Sequence, residues 1–313
     1  MVFYSKTAVV KKNMNGVLGG NVRKEILIVS LALVFTTFMV TTLFLGERSK
    51  LSERKFPWRL QEQLINSPGA YNKHTIHAIT STYARLTQKA DLTRLMQTLM
   101  HLRNFHWIVV EDSEEKTTLV SKLLKKSGLH YTHLNIKNTE QHLFVKHLQT
   151  TNAALAWVRK HIEPDEGVVY FMDDDNTYAL KVFEDMRTTK LASVWPVGLS
   201  ADLIVEGPVL CKDNRVVTWR ALWEPDRKVP IDMAGFAIST ALLRQHPDVY
   251  FIDIEPLESQ FLADLGLTKD KMEPKANNCT EINVWHTRTT KYIPRLEDEA
   301  LKLGPEFNPN VEV

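Results

Sequence analysis

The chain contains little cysteine, with only Cys211 and Cys279 among its 313 residues. Two cysteines form at most one disulfide, and their spacing alone does not say whether they pair. No pair of cysteines has the spacing of a structural zinc site, which argues against a zinc-binding domain. Internal repeats and low-complexity tracts are also missing from the sequence, which argues against a repeat architecture.

The chain also lacks an excess of either charge, because 39 Lys and Arg residues face 37 Asp and Glu residues, for a net charge of +2. A near-neutral chain is a poor candidate for a protein whose main partner is nucleic acid. The composition, 44% hydrophobic and 24% charged, is that of an ordinary globular protein. Its length suits one large domain or two small ones.

One long hydrophobic run is present, ILIVSLALVFTTFMVTTLFL, which covers residues 26–45. A helix of that length spans a bilayer core of roughly 30 Å. A signal peptide has a shorter apolar core, of about 7–15 residues, followed by a small-residue cleavage site. The sequence therefore predicts a cytoplasmic tail in 1–25, a retained transmembrane anchor in 26–45, and a polar stem in 46–73.

The orientation of this anchor does not follow from charge, because basic residues flank both of its ends and the positive-inside rule does not decide. A second signal is the N-glycosylation sequon formed by Asn278, Cys279 and Thr280. Such a sequon is used only on the secretory side of the membrane. We therefore expect a lumenal body and glycosylation of Asn278.

Strand-like and helix-like patterns alternate along the body, residues 74–313. The segments TIHAITSTY, HWIVVED, YTHLNI and GVVYFM are typical of strands, and KTTLVSKLLKKSG and QTTNAALAWVRKHI have helical spacing. This order predicts an α/β fold with a mainly parallel sheet flanked by helices. Ligands of such sheets bind beyond the carboxyl ends of the strands, where the acids of VVED and YFMDDDN lie.

Three consecutive aspartates, Asp173, Asp174 and Asp175, follow one of these strands. Adjacent carboxylates repel in a partly dry site unless a cation or a proton intervenes. Oxygen ligands without nearby His or Cys suit Mg²⁺ or Mn²⁺. The alternative is a helix cap, because TYALKVFEDMR follows and an acid is favoured there. One acid is enough for a cap, so three favour a binding role.

A second polar segment, VWHTRT, places His286 and Arg288 on one face of a strand and Trp285 on the other. Nitrogen donors on one face suit a diphosphate, which Arg grips with two hydrogen bonds. The alternative is an ordinary polar strand rim.

Further candidates lie in the segments ALWEPDRKVPIDMAGFAIS and EPLESQFLADLG. The first contains Trp223, Arg227 and Asp232, an indole beside charged groups that suits a sugar platform, although a Trp is also a common core residue. In the second segment Pro256 is expected at the first helical position. Glu258 then falls where a capping-box glutamate lies, so cap and functional acid are both open.

Taken together, TSTYARLTQKADL, WIVVED, GVVYFMDDDNTY, SVWPVGL, WEPDR, PIDMAGFAIS, NNCT and VWHTRT closely resemble the animal β-1,3-glucuronosyltransferases, over Thr75–Val313. The resemblance implies a GT-A-type fold and a type II Golgi membrane enzyme, expected as a homodimer. It also implies UDP-glucuronic acid as donor, Mn²⁺ as cofactor, and a galactose-terminated glycan or proteoglycan linker as acceptor. The UDP-binding part would be 74–175 and the acceptor-binding part 176–313.

The resemblance assigns a role to each candidate by its position. Asp175 would bind the metal and Glu258 would be the catalytic base. Tyr83 would stack on uracil, Asp112 would hydrogen-bond it, and Asp174 would hold the ribose. The residues implied to bind the UDP-sugar are Tyr83, Asp112, Asp173, Asp174, His286 and Arg288, and those implied for the acceptor are Trp223, Arg227 and Asp232.

The chain departs from this family at two places. Thr151 stands where the family has a nucleotide-binding arginine, and Ile254 and Glu255 stand where it has a basic residue and glycines. An acid beside the base changes its pKa and the fit of the acceptor. A transferase with another UDP-sugar or galactoside, or a non-catalytic glycan-binding relative, is therefore the alternative, although Asp175 and Glu258 are both present.

Overall fold

The computed structural model describes residues 74–137, 143–164, 167–291 and 293–303. These residues belong to one compact unit, Asn72–Val313. The predicted tail, anchor and stem lie outside the described residues. Among the helices that are described, none is both long and apolar enough to cross a membrane. The predicted division of the body near residue 175 stays a prediction.

The first four strands of the described residues lie at the apolar segments TIHAITSTY, HWIVVED, YTHLNI and GVVYFM, as predicted, and further short strands follow. The strands are β1 (Thr75–Tyr83), β2 (Phe105–Asp112), β3 (His130–Ile136), β4 (Gly167–Phe171), β5 (Thr177–Tyr178), β6 (Ala192–Val194), β7 (Val197–Gly198), β8 (Val205–Lys212), β9 (Arg215–Arg220), β10 (Phe236–Ser239), β11 (Glu273–Pro274) and β12 (Val284–Trp285).

Helices lie between most of these strands. They are α1 (Gln88–Leu99), α2 (Thr118–Ser127), α3 (Leu143–His161), α4 (Leu180–Met186), α5 (Thr240–Gln245), α6 (Leu257–Asp264), α7 (Ala276–Cys279) and α8 (Glu297–Leu303). Thr117 caps the start of α2 by accepting from the N–H of Val120, and Gly128 ends it at φ 67°. A residue without a Cβ adopts that left-handed conformation most readily.

Seven strands form the main sheet, in the order β11-β6-β10-β4-β1-β2-β3. Strand β1 is parallel to both β2 and β4, and β2 is parallel to β3, whereas β10 runs antiparallel to its neighbours. A second sheet has the order β5-β12-β7-β8-β9. The predicted α/β fold with a mainly parallel sheet is therefore confirmed.

Helices cover both faces of the main sheet, because its central strands are apolar on both sides. Along β4, Val169 and Phe171 join one buried cluster, whereas Val168 and Tyr170 join the other. This alternation follows from the two-residue period of a strand. A sheet buried on both faces keeps its strand ends rigid, and functional side chains are placed at those ends.

The helix-cap explanation of the Asp triplet is wrong. Helix α4 begins at Leu180, and its N-cap is Ala179, which makes no side-chain capping bond. Strand β5 lies between the triplet and the helix and pairs with β12. The aspartates are therefore held away from the helix end by an intervening strand.

Cys211 and Cys279 form a disulfide, the pairing that sequence spacing left open. It joins β8 to the single turn α7, whose residues all have positive φ between 51° and 64°. Asn278 lies in this turn and is exposed. The sequon is thus accessible, at the end of a segment tied to the β8–β9 hairpin.

Candidate active site

The first part of the site lies at the carboxyl ends of β1 and β2. Tyr83 and Asp112 end these two parallel strands as direct register partners, which brings two predicted nucleotide-binding residues side by side. Tyr83 is 42% exposed, so its ring is available for stacking. A cavity of about 190 Å³ lies here, lined by Ser81, Thr82, Tyr83, Arg85, Asp112, His147, Thr150, Asp173, Asp174, Asp175 and Thr289.

Asp174 is the buried member of the triplet. Its carboxylate accepts from Thr82 Oγ1 at 2.7 Å and from Arg85 Nη2 at 2.6 Å. Burial raises the pKa of Asp174, although the bonds and charge of Arg85 oppose this shift. The guanidinium of Arg85 also lies 4.8 Å from the ring centre of Tyr83. Asp174 is therefore held in place at the wall of this cavity.

Asp175 is half-buried and is held by the segment after β12. Its Oδ2 accepts from the backbone N–H of Thr289 at 2.9 Å, and its carbonyl accepts from Thr287 Oγ1 at 2.8 Å. Asp173 lies 3.9 Å from His147 Nε2. Burial raises the pKa of Asp173, with His147 and His286 opposing. The two half-buried acids of the triplet thus remain open to the cavity.

Sequence reasoning missed Arg85 and His147, which both line the cavity. The signal for Arg85 is its position two residues after Tyr83, at the strand end. His147 lies one helical turn before Thr151 on α3. Thr151 itself is buried, with its Oγ1 3.3 Å from Ser81 Oγ. The position where the resembling family has an arginine is thus filled by a small packed side chain.

The second sheet brings His286 to Asp232. His286 Nδ1 lies 2.7 Å from Asp232 Oδ2, and Arg288 Nε lies 3.4 Å from His286 Nε2. The bond to Asp232 raises the pKa of His286. Burial alone would raise the pKa of Asp232, but His286 and the N–H of Ala234 lower it overall. Asp232, predicted on the acceptor side, directly supports a residue predicted for the diphosphate.

Strand β12 ends at Trp285, so His286 and Arg288 follow the strand and do not lie within it as predicted. Close packing positions the end of this strand. A Cβ on Gly198 would lie 2.4 Å from Trp285 Cδ1, closer than real contacts allow. The carbonyl of Gly198 accepts from the backbone N–H of His286 at 2.8 Å. Only glycine lets β7 approach β12 closely enough for this arrangement.

Two predicted acceptor residues lie together in the 222–229 segment. Trp223 is 44% exposed, and the guanidinium of Arg227 lies 4.8 Å from its ring centre. Arg227 itself is buried in an ion pair with Glu206. Removing one residue of a buried ion pair strongly destabilises a protein, because the other charge is left buried without a partner. Arg227 therefore positions the indole of Trp223, which stays partly exposed.

Glu258 lies in the first turn of α6, and its neighbours change its pKa. Burial raises the pKa of Glu258 to about 8, and Asp232 adds to this while Arg227 opposes it. Pro256 is the N-cap, not the first helical position as predicted. A capping box needs a hydroxyl at the N-cap, so Glu258 belongs to no such pair. The predicted alternative of a capping-box role is therefore wrong.

The loop before α6 is exposed and partly apolar. Ile252 and Ile254 are 42% and 56% exposed, and Glu255 is exposed beside them. Glu255 contributes to the raised pKa of Glu258. These side chains form an exposed rim next to the helix that carries Glu258.

No group of three or more His, Cys, Asp or Glu side chains in the described ranges is arranged to hold a metal by itself. A hard cation bound with a nucleotide needs only one or two carboxylates, because phosphates and waters complete its shell. The half-buried carboxylate of Asp175 beside the cavity fits that requirement. A larger cavity of about 620 Å³ lies at the opposite ends of β1 and β4 and contains none of the predicted residues.

The sequence of this chain is similar to those of known glycosyltransferases. The model of Glycosyltransferase family 43 matches residues 95–290. Galactosylgalactosylxylosylprotein 3-beta-glucuronosyltransferase 3 of Homo sapiens is 44% identical over 262 residues, covering 76% of this chain and 78% of that protein. Galactosylgalactosylxylosylprotein 3-beta-glucuronosyltransferase sqv-8 of Caenorhabditis elegans is 43% identical over 239 residues, covering 72% of this chain and 67% of that protein.

Among solved structures, S. aureus TarS 1–349 has a TM-score of 0.49 and 15% identity, covering 76% of this chain and 67% of that chain. At that TM-score the likeness carries no argument about activity.

Proposed function

Because the chain belongs to glycosyltransferase family 43, we propose that it transfers glucuronic acid from UDP-glucuronic acid to the 3-hydroxyl of a terminal β-galactose. The membership confirms the resemblance found in the sequence. The names of the relatives in Homo sapiens and Caenorhabditis elegans support this donor and this acceptor. We assign the α/β fold to the GT-A type on the same ground.

The observation that carries the proposal is Glu258, a half-buried carboxylate with a pKa of about 8 that feels the charges of Asp232 and Arg227. A general base works best when its pKa lies near the working pH. The galactose hydroxyl attacks the anomeric carbon opposite UDP, Glu258 takes the hydroxyl proton, and UDP leaves. A single displacement inverts the anomeric configuration.

The donor is held by the residues of the first part of the site. Tyr83 stacks on the uracil, Asp112 hydrogen-bonds it, and Asp174 binds the ribose. His286 and Arg288 face the diphosphate. Supporting this assignment, Tyr83, Asp112 and Asp174 line one cavity.

We propose Mn²⁺ as the cofactor, held by Asp175 together with diphosphate oxygens. A divalent cation at this place neutralises the charge that develops on the departing UDP. The proposal is supported by the carboxylate oxygens of the triplet, which suit this metal, and by the partial exposure of Asp175.

On the acceptor side, Trp223 supplies a flat face for galactose, with Arg227 beneath it and Asp232 nearby. The exposed Ile254 and Glu255 favour a different aglycone from that of relatives with a basic residue there. A galactoside acceptor other than the proteoglycan linker is therefore the second candidate.

The test is an assay of the full-length chain with a panel of UDP-sugars and β-galactoside acceptors. We expect UDP-glucuronic acid to be the preferred donor and the product to carry an inverted, 3-linked sugar, identified by NMR. Preference for another UDP-sugar would support the alternative transferase. Tight UDP binding without transfer to any acceptor would support a glycan-binding relative.

We also propose that the protein is a type II Golgi membrane protein and a homodimer, anchored by residues 26–45, with Asn278 glycosylated in the lumen. The support is the length of the apolar run and the exposure of Asn278. Protease added to intact Golgi vesicles should spare the body, and glycosidase treatment should shift wild type but not Asn278→Gln. Digestion without detergent would reverse the orientation. Light scattering of the purified chain measures the oligomeric state.

A further inference from the structure

Helix α1 carries a buried carboxylate that the sequence did not single out. Asp91 is 1% exposed. Its Oδ2 accepts from Arg85 Nη2 at 2.9 Å, and its Oδ1 accepts from Thr289 Oγ1 at 2.7 Å and from Arg94 Nη2 at 3.1 Å. A buried carboxylate is costly unless it is paired, so Asp91 orders the groups that bond to it.

Two of these partners extend to the aspartate triplet. The same Nη2 of Arg85 that bonds Asp91 also donates to Asp174 at 2.6 Å. The backbone N–H of Thr289 donates to Asp175 Oδ2 at 2.9 Å. Asp91 thus contacts Asp174 through one intermediate residue, Arg85, and contacts Asp175 through another, Thr289.

We propose that Asp91 is a positioning residue for the donor site, holding Asp174 through Arg85 and Asp175 through Thr289. The inference deepens the proposed function and rests on it, because the two acids matter as ligands of the donor and its cation. Groups that orient a metal-binding carboxylate set its affinity, and their loss typically weakens metal binding about 10–100-fold.

The geometry also explains how adjacent acids stay ordered before the donor arrives. Asp174 and Asp91 share Nη2 of Arg85, which keeps the guanidinium between these two carboxylates. Thr289 is oriented by its hydroxyl bond to Asp91, which aims its N–H at Asp175. A site whose carboxylates are already placed loses less entropy when it binds.

The experiment measures UDP binding to the full-length chain by calorimetry, with and without Mn²⁺, beside thermal unfolding. Thr289→Val removes the hydroxyl bond to Asp91 and keeps the N–H that reaches Asp175. Thr93→Val is the matched control, because the Thr93 hydroxyl bonds only the carbonyl of Lys89 on the same helix, at 2.6 Å. We expect Thr289→Val to weaken Mn²⁺-dependent UDP binding several-fold and Thr93→Val to leave it unchanged.

Asp91→Asn should weaken Mn²⁺-dependent UDP binding by about 10–100-fold. In the transfer assay its donor KM should rise more than its kcat falls. The double variant Asp91→Ala with Thr289→Val should lose less than the product of the losses in Asp91→Ala and in Thr289→Val, because each change removes the hydrogen bond between Asp91 and Thr289.

Three results would overturn the proposal. These are equal UDP affinities in Thr289→Val and Thr93→Val, fully multiplicative losses in the double variant, or a lower Tm in Asp91→Asn with unchanged UDP affinity. If Asp91→Asn does not fold, the comparison of the two threonine variants decides. Wild type that binds UDP with Mn²⁺ but transfers no glucuronic acid would sink the proposed function and leave this test intact.

Discussion

The donor side and the acceptor side of the site are built differently. On the donor side, Asp174 and Asp91 are buried. Both accept hydrogen bonds from Arg85, and Asp91 also accepts one from Thr289. On the acceptor side, Trp223 and the loop before α6 are exposed. A preorganised pocket suits a ligand common to many enzymes, whereas an exposed rim allows the acceptor to differ between relatives. The side chains of the proposed donor side are therefore held more firmly than those of the proposed acceptor side.

The largest expected effect comes from breaking the donor side at its cation ligand. Asp175→Ala should lower turnover by about 10³-fold or more, because the charge on departing UDP is no longer neutralised. Chelation of wild type should do the same, while circular dichroism and Tm stay close to wild type. Undiminished turnover in excess EDTA would remove the metal assignment.

A smaller effect is expected from the sugar platform. Trp223→Ala should raise the acceptor KM by about 10-fold, since a stacked aromatic contributes about 1 kcal/mol beyond its buried area. The donor KM should stay within twofold of wild type, as measured by steady-state kinetics with each substrate varied. Equal rises in both values would show that the two sides are not separate.

The disulfide sharpens the same comparison. Replacing Cys211 and Cys279 by Ser opens a closed loop of 68 residues, which should cost about 2–4 kcal/mol of unfolding free energy. Because β8 also carries Glu206, the partner of Arg227, the acceptor KM should rise several-fold more than the donor KM. Chemical denaturation at 25 °C measures the loss of unfolding free energy, and steady-state kinetics measures the two KM values. A rise in the donor KM alone would contradict the prediction.

The last prediction concerns Tm rather than kinetics, namely the stability of wild type against pH. The pKa of Glu258 in the folded protein is about 8, against an ordinary value of 4.5. The folded state therefore holds a proton that the unfolded state releases, so stability is lost as pH rises from about 4.5 to about 8. Glu258→Gln does not titrate, and its Tm relative to wild type should rise by a few degrees between pH 5 and pH 8.5. A constant difference across that range would mean that burial does not raise the pKa.

Much of the fold and part of the site could be predicted from sequence, because those signals are local. Strand ends follow from short apolar runs, and Asp112 and the Asp triplet come directly after such runs. The network around Asp91 could not be predicted, since its bond to Thr289 joins residues 198 positions apart. The N-cap position of Pro256 was also missed, because it depends on how the preceding loop enters α6 rather than on composition.

We propose that Glu258 activates the acceptor hydroxyl, and that the donor side binds UDP independently of Glu258. The most direct measurement is the single-turnover rate of Glu258→Gln with UDP-glucuronic acid and a β-galactoside, beside its UDP affinity with Mn²⁺. We expect a rate lowered by about 10²–10⁴-fold with unchanged UDP affinity, because an amide does not accept the proton at neutral pH. A near-normal single-turnover rate would contradict this role of Glu258.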